Sequence, residues 1–331
     1  MPWSWGFQGV SSSSVNDFPM KASVVFATKN RKEDLRRALA STVLQQPEPE
    51  IIVMDDGSTD GTADMVRTEF PRVVLHQFDQ SCGSSVRRNQ GVRLATGDII
   101  VSIDDDAEFT TPRVVAQAVG QFDDPRVGAV TIPYIDVRIS PDILQEPPDP
   151  EGVWVTNAYV GTAAAWRKDV FLDLEGYSEF VLHMSEERDY CLRLLNAGFV
   201  VKMGRTDLIR HYQSPVRKSR WNRRMQRRND LIHAVTNIPF PPLLFHFPGT
   251  ILSGLLFGLR NECLGDTLAG YWWFIRVLGT AVKLRHPVSR QCYSLARHLQ
   301  RHGPQRLDEI GHRLPALARG TQLSYGQASP E

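Results

Sequence analysis

The sequence predicts an α/β fold: a mostly parallel sheet with helices on both faces, followed by a helical C-terminal extension. Three observations carry this expectation. From Ser23 to Pro133, short apolar runs alternate with amphipathic stretches. The runs are rich in β-branched residues and bounded by polar turns, as buried strands are. Acidic or small-residue turns follow them, at the strand ends where parallel sheets bind their ligands.

The elements follow in order. Residues 1–20 carry Ser11 to Ser14 and lack a basic start before an apolar run, so a mobile tail is expected rather than a secretory signal. Ser23 to Ala27 reads as the first strand. The helix after it places Leu35, Ala38, Leu39, Thr42 and Val43 at spacings of three and four, giving one apolar face for the sheet. Ile51 to Met54 is the second strand. Its helix is expected to start after Ser58 and Thr59, good capping residues, and to stop before Pro71. Val73 to His76 and Ile99 to Ile103 complete the first set of strands. The Pro-rich, acidic stretch from Pro141 to Pro150 reads as a loop over the ligand-binding edge. Order resumes from Gly161 to Val201, with a helix from about Glu187 that ends at Asn196, Ala197 and Gly198.

Composition narrows the class. With 331 residues the chain can bury a sizeable core, and its net charge of +1 creates no global field for nucleic acid. The four cysteines, Cys82, Cys191, Cys263 and Cys292, are far apart and form no CxxC pair. That argues against a disulfide framework and a zinc site, and a reducing compartment is the simpler reading.

Beyond Arg210 the character changes. Arg217 to Arg228 places seven cations beside Trp221. Leu231 to Leu259 then holds no Asp, Glu, Lys or Arg, a length sufficient for a bilayer. Pro239, Pro241, Pro242 and Pro248 break it, so a re-entrant or interfacial segment is expected rather than a simple span. Tyr271-Trp272-Trp273-Phe274 adds an interfacial aromatic cluster. Together these predict contact with an anionic membrane surface; the rival is an ordinary helical cap on the sheet.

The sharpest chemical signal is Ile103-Asp104-Asp105-Asp106-Ala107, three carboxylates at the end of an apolar strand. Packed like charges repel, and a hard divalent ion such as Mg²⁺ or Mn²⁺ would hold them together and bridge to phosphate. A solvated acidic turn is the alternative. Asp55-Asp56-Gly57-Ser58 ends a second strand on the same edge, where a carboxylate can accept from a base N–H or make a simple Asx turn. Between the two, Gly83 to Gly91 is a small-residue loop opening a helix, where backbone can approach phosphate and Arg88 can offset its charge.

In this order, Ser23 to Arg31, Asp55-Asp56-Gly57-Ser58, Arg88-Asn89-Gln90-Gly91 with Ala95-Thr96-Gly97-Asp98, and Asp104-Asp105-Asp106 resemble the family 2 glycosyltransferases of GT-A fold. Gly176-Tyr177-Ser178-Glu179 and Glu186-Glu187-Arg188-Asp189 extend the resemblance, which covers Ser23 to His211. It implies a Rossmann-like nucleotide-diphospho-sugar transferase domain at 21–215 and a basic, apolar helical extension at 216–331. The implied activity is inverting transfer from a nucleotide-sugar donor to a saccharide or lipid-linked acceptor, at the cytoplasmic face of a membrane.

Carried over by position, Asp56 would recognise the base, Ala27 and Asn30 would lie along the nucleotide, and Arg88, Asp104 and Asp105 would support the donor. Asp104 and Asp106 match the family's metal-binding pair, with Asp106 the direct ligand and His211 a further candidate. Glu187 is the expected base, with Glu186 and Asp189 as alternatives; on spacing alone the acids simply favour a helix start, and Asp189 pairs with Arg193. Ala27 and Lys29 depart from the proline and tyrosine common in the first motif, leaving base preference open. A sugar-phosphate nucleotidyltransferase would want a glycine- and lysine-rich loop after the first strand, and Ala27-Thr28-Lys29-Asn30 is a poor version. A non-catalytic nucleotide- or lipid-binding relative is the remaining rival.

Overall fold

The computed structural model describes residues 20–181, 184–213 and 219–318. The expected N-terminal tail, and Arg217 and Lys218 of the basic run, lie outside the described residues. The first half of the chain alternates as predicted: β1 (Ala22–Thr28), α1 (Lys32–Thr42), β2 (Glu50–Asp55), α2 (Thr62–Glu69), β3 (Val74–Gln77), α3 (Ser84–Leu94) and β4 (Ile99–Ser102). There follow β5 (Ala107–Phe109), α4 (Val114–Val119), β6 (Val127–Thr131), β7 (Tyr134–Asp136), β8 (Ile143–Leu144), β9 (Trp154–Thr156), β10 (Ala164–Arg167), α5 (Lys168–Asp173), α6 (Glu186–Asn196), β11 (Val200–Met203) and β12 (Ile209–His211).

Among the described residues the main sheet has the order β13-β9-β11-β6-β10-β4-β1-β2-β3, with β13 at Gln305–Arg306. All strands point one way except β9 and β10. The central strands β1, β2, β4 and β6 are buried on both faces because they are apolar at most positions. Val24, Phe26, Val53 and Val101 face Leu35 and Leu39 of α1. Val25, Ile52, Met54 and Ile100 face the other way, toward Trp166, Phe171 and Tyr190. Gly91 lets α3 lie directly on this second face, since a Cβ there would sit 2.4 Å from Val25 Cγ1.

A small second sheet, β5-β12-β7-β8, stands over the carboxyl ends of the parallel strands. Its register pairs His211 with Ala107 on one side and with Asp136 on the other. β8 lies within the stretch expected to be wholly loop, which the sheet's edge recruits into pairing.

Helix α2 corrects one expectation. Ser58 and Thr59 do not cap it; Gly61, at φ +83°, precedes its first residue, and Asp60 Oδ1 accepts from Thr62 N at 3.1 Å. Ser58 and Thr59 instead bind Asn30, whose backbone N donates to Ser58 Oγ at 2.9 Å and whose Oδ1 accepts from Thr59 N at 2.7 Å.

Helices α7 (Arg220–Asn237), α8 (Leu243–Arg260), α9 (Leu264–Lys283) and α10 (Arg290–His302) build the extension. It is not a separate unit. Cys292, Leu295 and Leu299 of α10 enter the main core, and β13 pairs with β9, satisfying a strand edge that would otherwise stand open. The uncharged stretch from Leu231 to Leu259 is likewise split. Its first residues finish α7, where Leu231 and Ile232 are buried, and Pro239, Pro241 and Pro242 separate that helix from α8; Pro248, expected to break the stretch as well, lies inside α8 within its first two turns.

The basic run is also revised as a lipid-facing surface. Arg220, Arg223 and Arg224 reach the buried carboxylate of Asp266 on α9 at 3.2, 2.8 and 2.9 Å. Arg227 pairs with Asp230 at 3.2 Å. The first three arginines lock α7 to α9, because one buried carboxylate needs several donors, whereas the Arg227 pair stays within α7. The outward apolar surface belongs to α8 and α9. Leu243–Arg260 is long and apolar enough to cross a membrane, yet only 11% of it is buried.

Candidate active site

A cavity of about 340 Å³ opens where β1, β2 and β4 end, beneath the second sheet and beside the start of α6. Ala27, Asp56, Arg88, the three aspartates, Glu186 and Glu187 share its wall. The parallel register explains this gathering: Thr28 lies opposite Asp55, and β4 runs alongside β1, so each acidic turn leaves the sheet at the same edge.

The aspartates divide their work. Asp104 pairs with Arg88 Nη2, and Arg88, buried on α3, also comes within 4.0 Å of Glu186. Asp105 accepts from Thr28 Oγ1 at 2.7 Å and from Arg31 Nη1 at 3.1 Å. Burial pushes Asp105 up to about 7, with neighbouring Asp106 and Asp104 adding to the effect and Arg31 and Thr28 opposing it. Asp106 contacts Arg31 at 2.6 Å and His211 Nε2 at 3.3 Å. Burial acts to raise its pKa as well, but the His211 contact and the Arg31 charge prevail and hold it at about 2.

His211 arrives from β12. Its Nδ1 lies 3.2 Å from Asp136 Oδ2, which orients the ring and aims Nε2 at Asp106. Nε2 is buried and makes no hydrogen bond among the described residues. Burial lowers the imidazole pKa, and the carboxylates of Asp106, Asp104 and Asp136 more than reverse that. Ligand atoms of Asp104, Asp106 and His211 all lie within 4.8 Å of one another. Two carboxylate oxygens and one imidazole nitrogen at that spacing suit Mn²⁺ or Mg²⁺.

Across the cavity, Glu187 Oε1 accepts from Gly161 N at 3.2 Å. Burial raises its pKa to about 7, and the adjacent Glu186 carboxylate adds to this while Arg88 opposes it. Gly161 makes the contact possible, since a Cβ there would meet Glu187 Oε1 at 2.7 Å.

Three expected residues stand elsewhere or act differently. Asp189 turns away from the cavity: it binds Arg193 at 2.9 Å and accepts from Asn237 Nδ2 at 2.7 Å. Burial is outweighed there by Arg193 and His233, so its pKa falls well below the usual carboxylate range. It pins α6 to α7. Asn30 is exposed at the rim, with its side chain committed to Thr59. Asp56 reaches the cavity, but its carboxylate accepts from Ser81 Oγ at 2.6 Å, Cys82 N at 2.9 Å, Gly83 N at 3.0 Å and Arg87 Nε at 2.7 Å. In this arrangement it orders the turn that opens α3 and offers no open acceptor to a base.

Arg31, Thr28, Gly161, Ser219 and Asn222 also line the cavity, and sequence reasoning did not single them out. Thr28 and Arg31 lay within the first motif, and only the fold shows that Arg31 turns inward to neutralise two aspartates. Ser219 and Asn222 are brought in by the first turn of α7, where Ser219 Oγ caps the helix by accepting from Asn222 N at 3.2 Å.

Residues 23–167 match the family model described as glycosyl transferase family 2. This part of the chain is a family 2 glycosyl transferase domain. Among curated relatives, the glucosyl-dolichyl phosphate glucuronosyltransferase of Haloferax volcanii is 32% identical over 183 residues, covering 48% of this chain and 56% of the relative. The pre-mycofactocin glycosyltransferase of Mycobacterium tuberculosis is 29% identical over 209 residues, covering 57% and 42%. The chain thus spans about half the length of these two curated relatives.

Among solved structures, the mannosyltransferase PcManGT of Pyrobaculum calidifontis, in complex with GDP-Man and Mn²⁺, superposes with a TM-score of 0.55 at 20% identity, covering 85% of this chain and 84% of that one. Residues 1–349 of S. aureus TarS, in complex with UDP-GlcNAc, give 0.56 at 17% identity, covering 80% and 82%. At such identities the likeness establishes the GT-A fold.

Proposed function

We propose that the protein is a metal-dependent inverting glycosyltransferase that moves a sugar from a nucleotide-diphosphate donor to an acceptor hydroxyl. The observation that carries this reading is a single cavity lined by Asp104 and Asp106, which group with His211, and by a protonatable Glu187. Asp104, Asp106 and His211 would hold Mg²⁺ or Mn²⁺, which when bound supplies Lewis-acid stabilisation to a departing diphosphate.

The chain's own groups supply the rest. Glu187 takes the proton of the acceptor hydroxyl; a pKa near 7 matches a base that must be ionised in part and still hold a proton afterwards. Gly161 N and the cavity wall fix the carboxylate. Arg88 balances Asp104 and sets the spacing of the acids. Asp136 keeps the His211 ring turned toward Asp106.

We place the protein at the cytoplasmic face of a membrane, and its acceptor on a lipid or saccharide carrier. Supporting this, Leu244, Phe245, Leu252, Leu256 and Leu259 of α8 and Trp272 and Ile275 of α9 are exposed apolar side chains.

The test is thermal unfolding with UDP, GDP, dTDP or CDP, with and without Mn²⁺. A Mn²⁺-dependent rise with one nucleotide, absent in Asp106→Asn, supports the donor site and selects the sugars to assay. Equal shifts in wild type and variant would remove Asp106 from the metal site. No shift with any nucleotide would favour a non-catalytic relative.

A further inference from the structure

A second cavity, of about 580 Å³, lies between α6, α7, α8 and α10, away from the aspartates. Helix geometry separates the two. Adjacent residues of α6 diverge by about 100° around the axis, so Glu187 lines the first cavity while Arg188 lines the second.

This second cavity is cationic at one end. Arg188, Arg297 and Arg301 line it, and the lining carboxylate, Asp230, is shared by Arg188 at 2.9 Å and Arg227 at 3.2 Å. Arg297 Nη1 donates to the neutral amide of Gln300 at 2.5 Å. Among the described residues neither Arg297 nor Arg301 forms an ion pair, so two guanidinium charges at the cavity are unneutralised. His246, beside them, donates to or accepts from Tyr293 at 3.0 Å. Burial first, then the charges of His233, Arg297 and Arg188, hold His246 down at about 4, as expected where positive potential is in excess.

The other end is apolar and open. Phe245, 80% exposed, lines the cavity where it meets the outer face of α8. Gly249, one turn further on, leaves empty space where a side chain would point. Leu252, Leu256 and Leu259 continue the exposed apolar surface along that helix.

A guanidinium cluster opening onto an apolar helix face matches one ligand chemistry: a phosphate joined to a hydrocarbon chain. We propose that this cavity binds the phosphate head of an anionic phospholipid between Arg297, Arg301 and Arg188, with an acyl chain passing Gly249 onto α8. Planar guanidinium groups pair bidentately with phosphate oxygens, and the cavity volume suits a head group with the start of a chain. The site anchors the protein and is distinct from the donor cavity. It rests on the reading of α8 as lipid-facing and is independent of the transfer chemistry.

The experiment uses the full chain and titrates it with dioctanoyl phosphatidic acid, kept below its micelle concentration, followed by calorimetry. Dioctanoyl phosphatidylcholine and inorganic phosphate are titrated in parallel. Phosphatidic acid should bind at least about tenfold more tightly than either control. Arg297→Gln with Arg301→Gln should weaken it by about tenfold or more, and so should Gly249→Phe, which fills the cavity without changing charge. Wild-type affinity in Gly249→Phe overturns the cavity, and equal binding of phosphatidylcholine overturns the phosphate recognition. Inorganic phosphate binding as tightly as the lipid overturns the amphiphile and leaves a simple anion site. Each variant's nucleotide-dependent unfolding shift is measured alongside and should match wild type, so that failure here is distinguishable from failure of the donor site. Flotation with phosphatidylcholine vesicles containing phosphatidic acid separately tests whether α8 meets a membrane.

Discussion

Gly161→Ala is the most informative substitution at the donor cavity, because its effect falls chiefly on the Glu187 carboxylate. The added Cβ would sit 2.7 Å from Glu187 Oε1 and 3.3 Å from Arg88 Nη1, both tips of side chains rather than backbone. Ordinary contact begins near 3.4 Å, so the carboxylate must retreat by about 0.7 Å and release its bond to Gly161 N. Misplacing a catalytic group by about 1 Å can cost on the order of a hundredfold in rate. We therefore expect kcat to fall by about tenfold to a hundredfold, or ~1.4–2.7 kcal/mol of transition-state stabilisation. The backbone is held independently by Ser102 Oγ, which donates to Gly161 O at 2.6 Å, so Tm should stay within about 2 °C of wild type. The assay is transfer from the nucleotide-sugar chosen by the unfolding screen, with Tm measured on the same sample. Adding Glu187→Asp, whose shorter side chain avoids the clash, should give a non-additive double variant. Wild-type kcat in Gly161→Ala would refute Glu187 as the base in this position.

Other consequences follow from the same geometry. Glu187→Gln should retain Mn²⁺-dependent nucleotide binding while transfer falls by at least about a hundredfold; full activity would remove Glu187 from the mechanism. In metal-free protein, Glu187 is raised to about 7, so the folded state holds its proton where the unfolded chain has released it. Its contribution is favourable below the unfolded value and lost as pH rises through about 7; Tm in chelator should drop between pH 5 and 8, and drop less in Glu187→Gln. Arg31→Ala leaves Asp105 and Asp106 without their shared counter-charge. Because the guanidinium is partly exposed, the cost should be about 1–2 kcal/mol, below that of a fully buried pair, and urea titration should show Mn²⁺ recovering part of it. Gly91→Ala drives a methyl group into Val25 and should destabilise the fold by about 1–3 kcal/mol in the same titration, with nucleotide preference unchanged.

Much of the fold was legible because its signals are local. Strand β1 announces itself by the apolar run Val24-Val25-Phe26-Ala27, and helix α1 by one apolar stripe. The cap of α2 was misread, though its stop before Pro71 was not, because a glycine in the left-handed region and the Asp60 side chain start the helix, while the better capping hydroxyls are drawn off to Asn30. The extension was misread for a similar reason. Arginine density suggests a charged face, and only the distant Asp266, buried on another helix, reveals that three of those arginines share an ion pair with one carboxylate.

The sequence alone determined the parallel sheet, the edge at which acidic turns would gather, and the residue types that could hold a divalent ion. Those follow from hydrophobic period and from the rule that strands in a parallel sheet end together. Tertiary structure decided which acids share the cavity. The pairing of β12 between β5 and β7 carries His211 to Asp106 across more than a hundred residues of chain. The rotation of α6 points Glu187 at the cavity and Asp189 at Arg193. The Asp189–Arg193 pair is legible from its spacing of four, but no local pattern encodes the arrival of His211 or which acid of α6 faces the cavity, because strand register and helix rotation are set by what the remaining faces must bury.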